Sequence, residues 1–322
     1  MKSSSRHLVD PQLLDWLDVF VSSLPAPSIT AGNLAQFRAL PEPFELDEDP
    51  AVRAVKLSLH SVPGPDGAPD VPIRVYQPAQ LSNPVGCILH LHGGGFVIGE
   101  TAGLEPVHRK LVADLGCVLV TVDYRLAPET VFPGNIEDCY AALSWLVSRA
   151  AQLKVDRQKI GVMGESAGGG LAAALALLAR DRGEFKLAFQ HLLYPMLDDR
   201  TCVVEDPHPL TGEFLWTRES NCFGWTALLG VPAGSRDVSP YAAPARAGNL
   251  TGLPPTFISA ATLDLLLEED IEYARRLTRA GVSVELHVYP GAFHAFDLHL
   301  TAKIAHAARR DSQAALTRFL GR

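Results

Sequence analysis

A chain of 322 residues, 47% hydrophobic and 20% charged, has the composition of a soluble globular protein with a large core, and its net charge of −8 argues against nucleic acid or an anionic membrane as a partner. The start, Met1 to Asp10, lacks the apolar stretch of a signal peptide, and no run reaches the ~20 apolar residues of a bilayer span; Leu171–Leu178 is far too short. Five scattered cysteines (Cys87, Cys117, Cys139, Cys202, Cys222), odd in number and without CxxC spacing, argue against a disulfide framework or a zinc site and lead us to expect reduced thiols in a cytoplasm.

In chain order, residues 1–50 carry one amphipathic stretch (Leu13, Leu14, Trp16, Leu17, Phe20, Val21) and then a Pro-rich connection. Short β-rich runs follow at Ile73–Tyr76, Cys87–His92, Cys117–Val122, Lys159–Met163, Gln190–Tyr194, Thr256–Ser259 and Val284–Tyr289. Between and after them the spacing predicts helices at Leu104–Leu115, Ile136–Ala150, Ala167–Arg180, Glu268–Ala280 and Ile304–Leu320. Several strands are nearly continuous apolar runs, as in a parallel sheet covered by helices on both faces, so the expected fold class is α/β. The stretch Asp198 to about Ser239 breaks the alternation. It carries Phe214, Leu215, Trp216, Phe223 and Trp225, enough aromatic surface to line an apolar pocket. The expected division is therefore residues 1–50 and 198–238 as two parts of a cap, and residues 51–197 and 239–322 as two parts of an α/β domain.

The strongest chemical signal is Gly164-Glu165-Ser166-Ala167-Gly168, directly after the apolar run Ile160–Met163 and directly before a helix pattern. This is the strand–turn–helix setting of a nucleophile elbow. Glycines flank the serine two positions either way because side chains there would clash at the sharp turn. The helix that follows aims its N-terminal amides at the serine. A second signal, His92-Gly93-Gly94-Gly95-Phe96, ends the strand Cys87–Leu91. Glycines there let backbone N–H groups approach the oxyanion of acyl transfer. No GK[ST] or GxGxxG is present to suggest a phosphate loop, and no cofactor motif is found. His90 and His92 share a strand face, yet a metal would need a third ligand that the spacing does not supply; His92 is expected to brace the loop.

A triad requires a base and an acid after the serine, the acid first. Of the six later histidines, His294 stands in a turn-rich loop just after a predicted strand, where ligands meet open α/β sheets, whereas His287, His299 and His306 fall in a strand or near the last helix. Asp264 holds the equivalent position after Thr256–Ser259, with Glu268 the second choice.

These residues resemble the hormone-sensitive-lipase-like branch of α/β-hydrolases, the bacterial carboxylesterases called family IV. The resemblance extends through Asp123-Tyr124-Arg125-Leu126-Ala127-Pro128-Glu129 with Phe132-Pro133, Tyr194-Pro195, Ser239-Pro240 and Gly252-Leu253-Pro254-Pro255, and covers about residues 70–300. It implies an eight-stranded, mostly parallel sheet with a small helical cap. It also implies an oxyanion hole from the amides of Gly94, Gly95 and Ala167, with Gly93 shaping the turn. The segment Asp123–Glu129 is expected to be structural. Expected pocket residues are Phe96, Glu165, Phe214, Trp216 and Phe293. Two departures stand out: Asp264-Leu265-Leu266 replaces the family's Asp-Pro-Leu, and Glu269-Asp270 replaces Glu-Gly. The implied activity is hydrolysis of small, short-acyl carboxylic esters by a chain that acts alone or as a homodimer. Amide, thioester or acyl-transfer chemistry uses the same groups. A non-catalytic binding protein would be expected to lack the serine or histidine, and a dehydratase of the family would carry threonine at position 166.

Overall fold

The computed structural model describes residues 4–41, 44–65 and 67–321. Positions 1–3, 42, 43, 66 and 322 of the expected segments lie outside the described residues. Eight strands form one sheet: β1 (Lys56–Val62), β2 (Val71–Gln77), β3 (Val85–Leu91), β4 (Val118–Val122), β5 (Val155–Glu165), β6 (Gln190–Leu193), β7 (Thr256–Ala261) and β8 (Val284–Tyr289). Their order is β1-β2-β4-β3-β5-β6-β7-β8. The first two strands run antiparallel to their neighbours, and β4 through β8 are mutually parallel.

Nine helices accompany the sheet among the described residues: α1 (Leu14–Ser23), α2 (Leu34–Arg38), α3 (Pro50–Arg53), α4 (Glu105–Leu115), α5 (Gly134–Arg149), α6 (Ala167–Arg182), α7 (Arg218–Leu229), α8 (Leu267–Arg279) and α9 (Lys303–Leu320). In β3, Cys87, Leu89 and Leu91 enter the core shared with α5, α6 and α8, while Ile88 joins the core under α4 and α9. Both faces are covered, which is why this strand reads as a nearly continuous apolar run, broken only by His90.

Two strand predictions need correction. β1 is absent from the predicted strands because Lys-Leu-Ser-Leu-His-Ser-Val shows no buried face: its residues are exposed or half-buried until Val62. It is an edge strand held by its ladder to β2. β5 begins at Val155, four residues before the predicted start, because Val85 pairs with Val155 across a register shift. The stretch Asp198–Ser239 forms one helix, α7, and is otherwise turns and irregular chain.

Candidate active site

The order of strands decides which loops can meet. β5 lies beside β6, and β6 beside β7, so chain leaving the C-terminal ends of β5, β6, β7 and β8 converges on one edge of the sheet.

Ser166 sits between β5 and α6 with φ 55° and ψ −120°, a conformation that costs a non-glycine residue on the order of 1–3 kcal/mol. The surroundings impose it. The Ser166 amide donates to Leu193 O at 2.9 Å, and its carbonyl accepts from Gly170 N at 3.0 Å and Met196 N at 2.9 Å. Close approach fixes the flanking glycines: a methyl group on Gly168 would lie 2.0 Å from Leu91 O, and one on Gly164 would lie 2.2 Å from Gly168 O.

The structure brings Ser166, His294 and Asp264 into one hydrogen-bonded line. His294 Nε2 is 2.9 Å from Ser166 Oγ, and His294 Nδ1 is 2.7 Å from Asp264 Oδ2. A carboxylate can only accept here, so Nδ1 carries the proton and Nε2 is left to accept from the serine hydroxyl. The other oxygen of Asp264 accepts from Leu266 N at 3.1 Å. All three residues are buried. A hydroxyl bonded to an imidazole that a buried carboxylate orients is the arrangement that activates serine for acyl transfer. Glu268, the second choice for the acid, makes no such contact with the imidazole; Asp264 alone reaches His294 Nδ1 among the described residues.

The glycine loop runs beside this line. A methyl group on Gly93 would lie 3.5 Å from Ser166 Cβ. The amides of Gly94, Gly95 and Ala167 find no acceptor among the described residues. His92 donates from Nδ1 to Gly93 O at 2.7 Å and stacks on Tyr124 at 4.3 Å, while the Tyr124 hydroxyl donates to His92 O at 2.7 Å. Burial pushes the His92 imidazole down to about 4, so it is neutral in this role. His90 belongs to a different network: it bonds the Glu165 carboxylate at 2.9 Å through Nε2, and Thr121 and His108 through Nδ1. Among the described residues no three metal-ligating side chains converge.

The expected pocket residues separate into two groups. Trp216 tilts over His294 with ring centroids 5.9 Å apart, and Glu165 ends β5 with its side chain 26% exposed. Phe96, by contrast, is buried against Trp225, and Phe293 packs between Trp16 and Phe214. The last contacts fasten α1 to the loop that carries His294. One neighbour carried no assigned role in the sequence reading: Tyr194, whose ring meets the His294 imidazole edge-on at 4.9 Å and whose hydroxyl donates to Asp297 at 2.8 Å. Its signal was its place in the chain, directly after the strand that separates β5 from β7.

A family model described as an α/β-hydrolase fold matches residues 88–298. Carboxylesterase NlhH of Mycobacterium tuberculosis is 34% identical over 317 residues, 98% of each chain. Esterase LipI of the same organism is 35% identical over 292 residues, covering 88% of this chain and 87% of the relative. A solved structure titled bacterial heroin esterase is 40% identical, with a TM-score of 0.88 over 99% of this chain and 100% of that one. The motifs, the sheet and these relatives agree: the chain belongs to the α/β-hydrolase family, in its hormone-sensitive-lipase-like carboxylesterase branch.

Proposed function

We propose that the enzyme hydrolyses small, short-acyl carboxylic esters through an acyl-enzyme on Ser166. The observation that carries this reading is the continuous line from Ser166 through His294 to Asp264. Ser166 Oγ attacks the ester carbonyl while His294 Nε2 takes its proton. The unpaired amides of Gly94, Gly95 and Ala167 receive the oxyanion. His294 then gives the proton to the leaving alcohol, and a water repeats the sequence in reverse to release the acid. Asp264 keeps the proton on Nδ1 and stabilises the imidazolium.

Residues 1–50 and 198–238 act as a cap on the α/β domain formed by 51–197 and 239–322. Contacts between the two cap parts support this: the Ser5 amide donates to Glu213 at 2.6 Å, Ser28 bonds Thr217 at 2.8 Å, and the Ile29 amide donates to Ser220 Oγ at 2.9 Å. Ser166 and His294 are each only 7% exposed beneath it, which favours short acyl groups. No helix among the described residues is long and apolar enough to cross a membrane. The thiols of Cys87, Cys139, Cys202 and Cys222, none of them in a disulfide, support a reducing compartment such as the cytoplasm, and the edge strand β8, with Leu286 and Val288 exposed, supports a homodimer built on that edge.

The test is hydrolysis of p-nitrophenyl acetate, butyrate, octanoate and laurate by the wild type, Ser166→Ala, His294→Ala and Asp264→Asn. We expect activity on the shorter esters and losses of ~10³-fold or more in each variant. A preference for laurate would overturn the short-acyl assignment, and a Ser166→Ala enzyme near wild-type activity would overturn the mechanism.

A further inference from the structure

The turn that carries the proposed oxyanion donors is held partly from outside. Gly94, Gly95 and Phe96 follow one another with φ of 116°, 60° and 67°, and a bulky side chain at positive φ is disfavoured. Within the turn, Val97 N and Ile98 N both donate to Gly94 O at 3.0 Å. Two contacts support it from outside. Ala127 N donates to Phe96 O at 2.9 Å, and Arg38 Nε donates to Val97 O at 2.8 Å. The same guanidinium links the two supports, because its Nη2 donates to Ala127 O at 2.9 Å. Its direction is fixed by a two-point pairing with Glu129, at 2.7 Å from Nη1 and 2.8 Å from Nη2. Arg38 ends α2, in the N-terminal segment, 59 residues away in sequence from the carbonyl it holds.

We propose that Arg38 is a positioning residue for the oxyanion turn: its guanidinium clamps Val97 O, Ala127 O and Glu129 together so that the Gly94 and Gly95 amides stay aimed at the reacting carbonyl. The N-terminal segment then does more than cover the site; it presets the hole. The inference rests on the assignment of those amides as oxyanion donors. An amide that drifts from the oxyanion's position loses transition-state stabilisation while substrate binding is little changed, so the expected signature is a fall in kcat with KM preserved.

The test uses the full chain carrying Arg38→Ala and Arg38→Lys. Readouts are kcat and KM on p-nitrophenyl butyrate, the inhibition constant of a trifluoromethyl ketone that forms a tetrahedral adduct with serine, and rescue by added ethylguanidinium. We expect Arg38→Ala to lower kcat about tenfold or more with KM within about twofold, and to weaken the ketone by the same factor. Ethylguanidinium should restore part of the rate. Lysine should recover little, since one ammonium cannot serve two carbonyls and a carboxylate pair in fixed directions. Should Arg38→Ala fail to fold, Glu129→Gln loosens the same clamp and is expected to give a smaller loss of the same kind. An unchanged kcat in a folded variant, or a change confined to KM, overturns the proposal. If Ser166→Ala has abolished activity, only the role of Arg38 falls; if Ser166→Ala is active, the oxyanion reading falls with it.

Discussion

The indole of Trp216 lies against Gly95 so closely that a methyl group on Gly95 would come 2.2 Å from Cη2. Trp216 is held there by its Nε1, which donates to Asn221 Oδ1 on α7 at 3.0 Å. The aromatic segment Phe214–Trp216 thus touches the glycine turn that follows β3 directly.

Gly95→Ala should therefore injure activity through two routes: alanine is strained at φ 60°, and the indole must shift. We expect kcat/KM on p-nitrophenyl butyrate to fall about 10²-fold or more. Adding Trp216→Ala removes the clash and leaves the backbone strain, so the double variant should recover part of the loss. A Gly95→Ala enzyme with wild-type kcat/KM would remove Gly95 from the oxyanion hole.

The sequence was most informative where side-chain chemistry and burial agree. Ser166, Asp264 and His294 could be chosen because each follows a recognisable strand, and the ends of β5, β7 and β8 lie on one edge of the sheet. β1 was illegible because an edge strand is stabilised by backbone bonds to β2, which leave no mark in Lys56–Val62. Of the expected pocket residues, Phe96 packs on Trp225 and Phe293 on Trp16, and aromatic character alone does not foretell such contacts between segments far apart in the chain. Arg38 gave no signal, since its partners are two carbonyls and a carboxylate far along the chain.

Three buried histidines should make the protein acid-sensitive. Burial lowers His191 to about 3 and His92 to about 4, and holds His108 well below its usual range. The unfolded chain takes up these protons near pH ~6.5 while the folded one refuses them, so stability is present above that pH and drains as pH falls toward the folded values. For His191, which packs on Phe257 with centroids 4.3 Å apart, the loss approaches about 1.4 kcal/mol per pH unit between about pH 6 and 4. His191→Phe should flatten the decline by one proton, measured by urea unfolding at several pH values. An unchanged slope would mean that His191 is protonated in the folded state.

Asp270 predicts the opposite pH trend. It stands where the family usually has glycine, is fully buried on α8, and neither carboxyl oxygen has a hydrogen-bond partner among the described residues. Burial, and then the charges of Glu269 and Asp264, push it well above the carboxylate range. Below about pH 4 both folded and unfolded chains hold this proton; above it the unfolded chain releases the proton and the folded one keeps it. Each further pH unit then costs about 1.4 kcal/mol of stability until the folded-state value is passed. Asp270→Asn removes the titration, so it should stabilise the protein more at pH 8 than at pH 5, in units of urea midpoint or Tm. Any packing penalty of the amide is the same at both pH values and cancels in the comparison. An equal effect at the two pH values would show that Asp270 is ionised in the folded protein, which would require a cation or ordered water beside it.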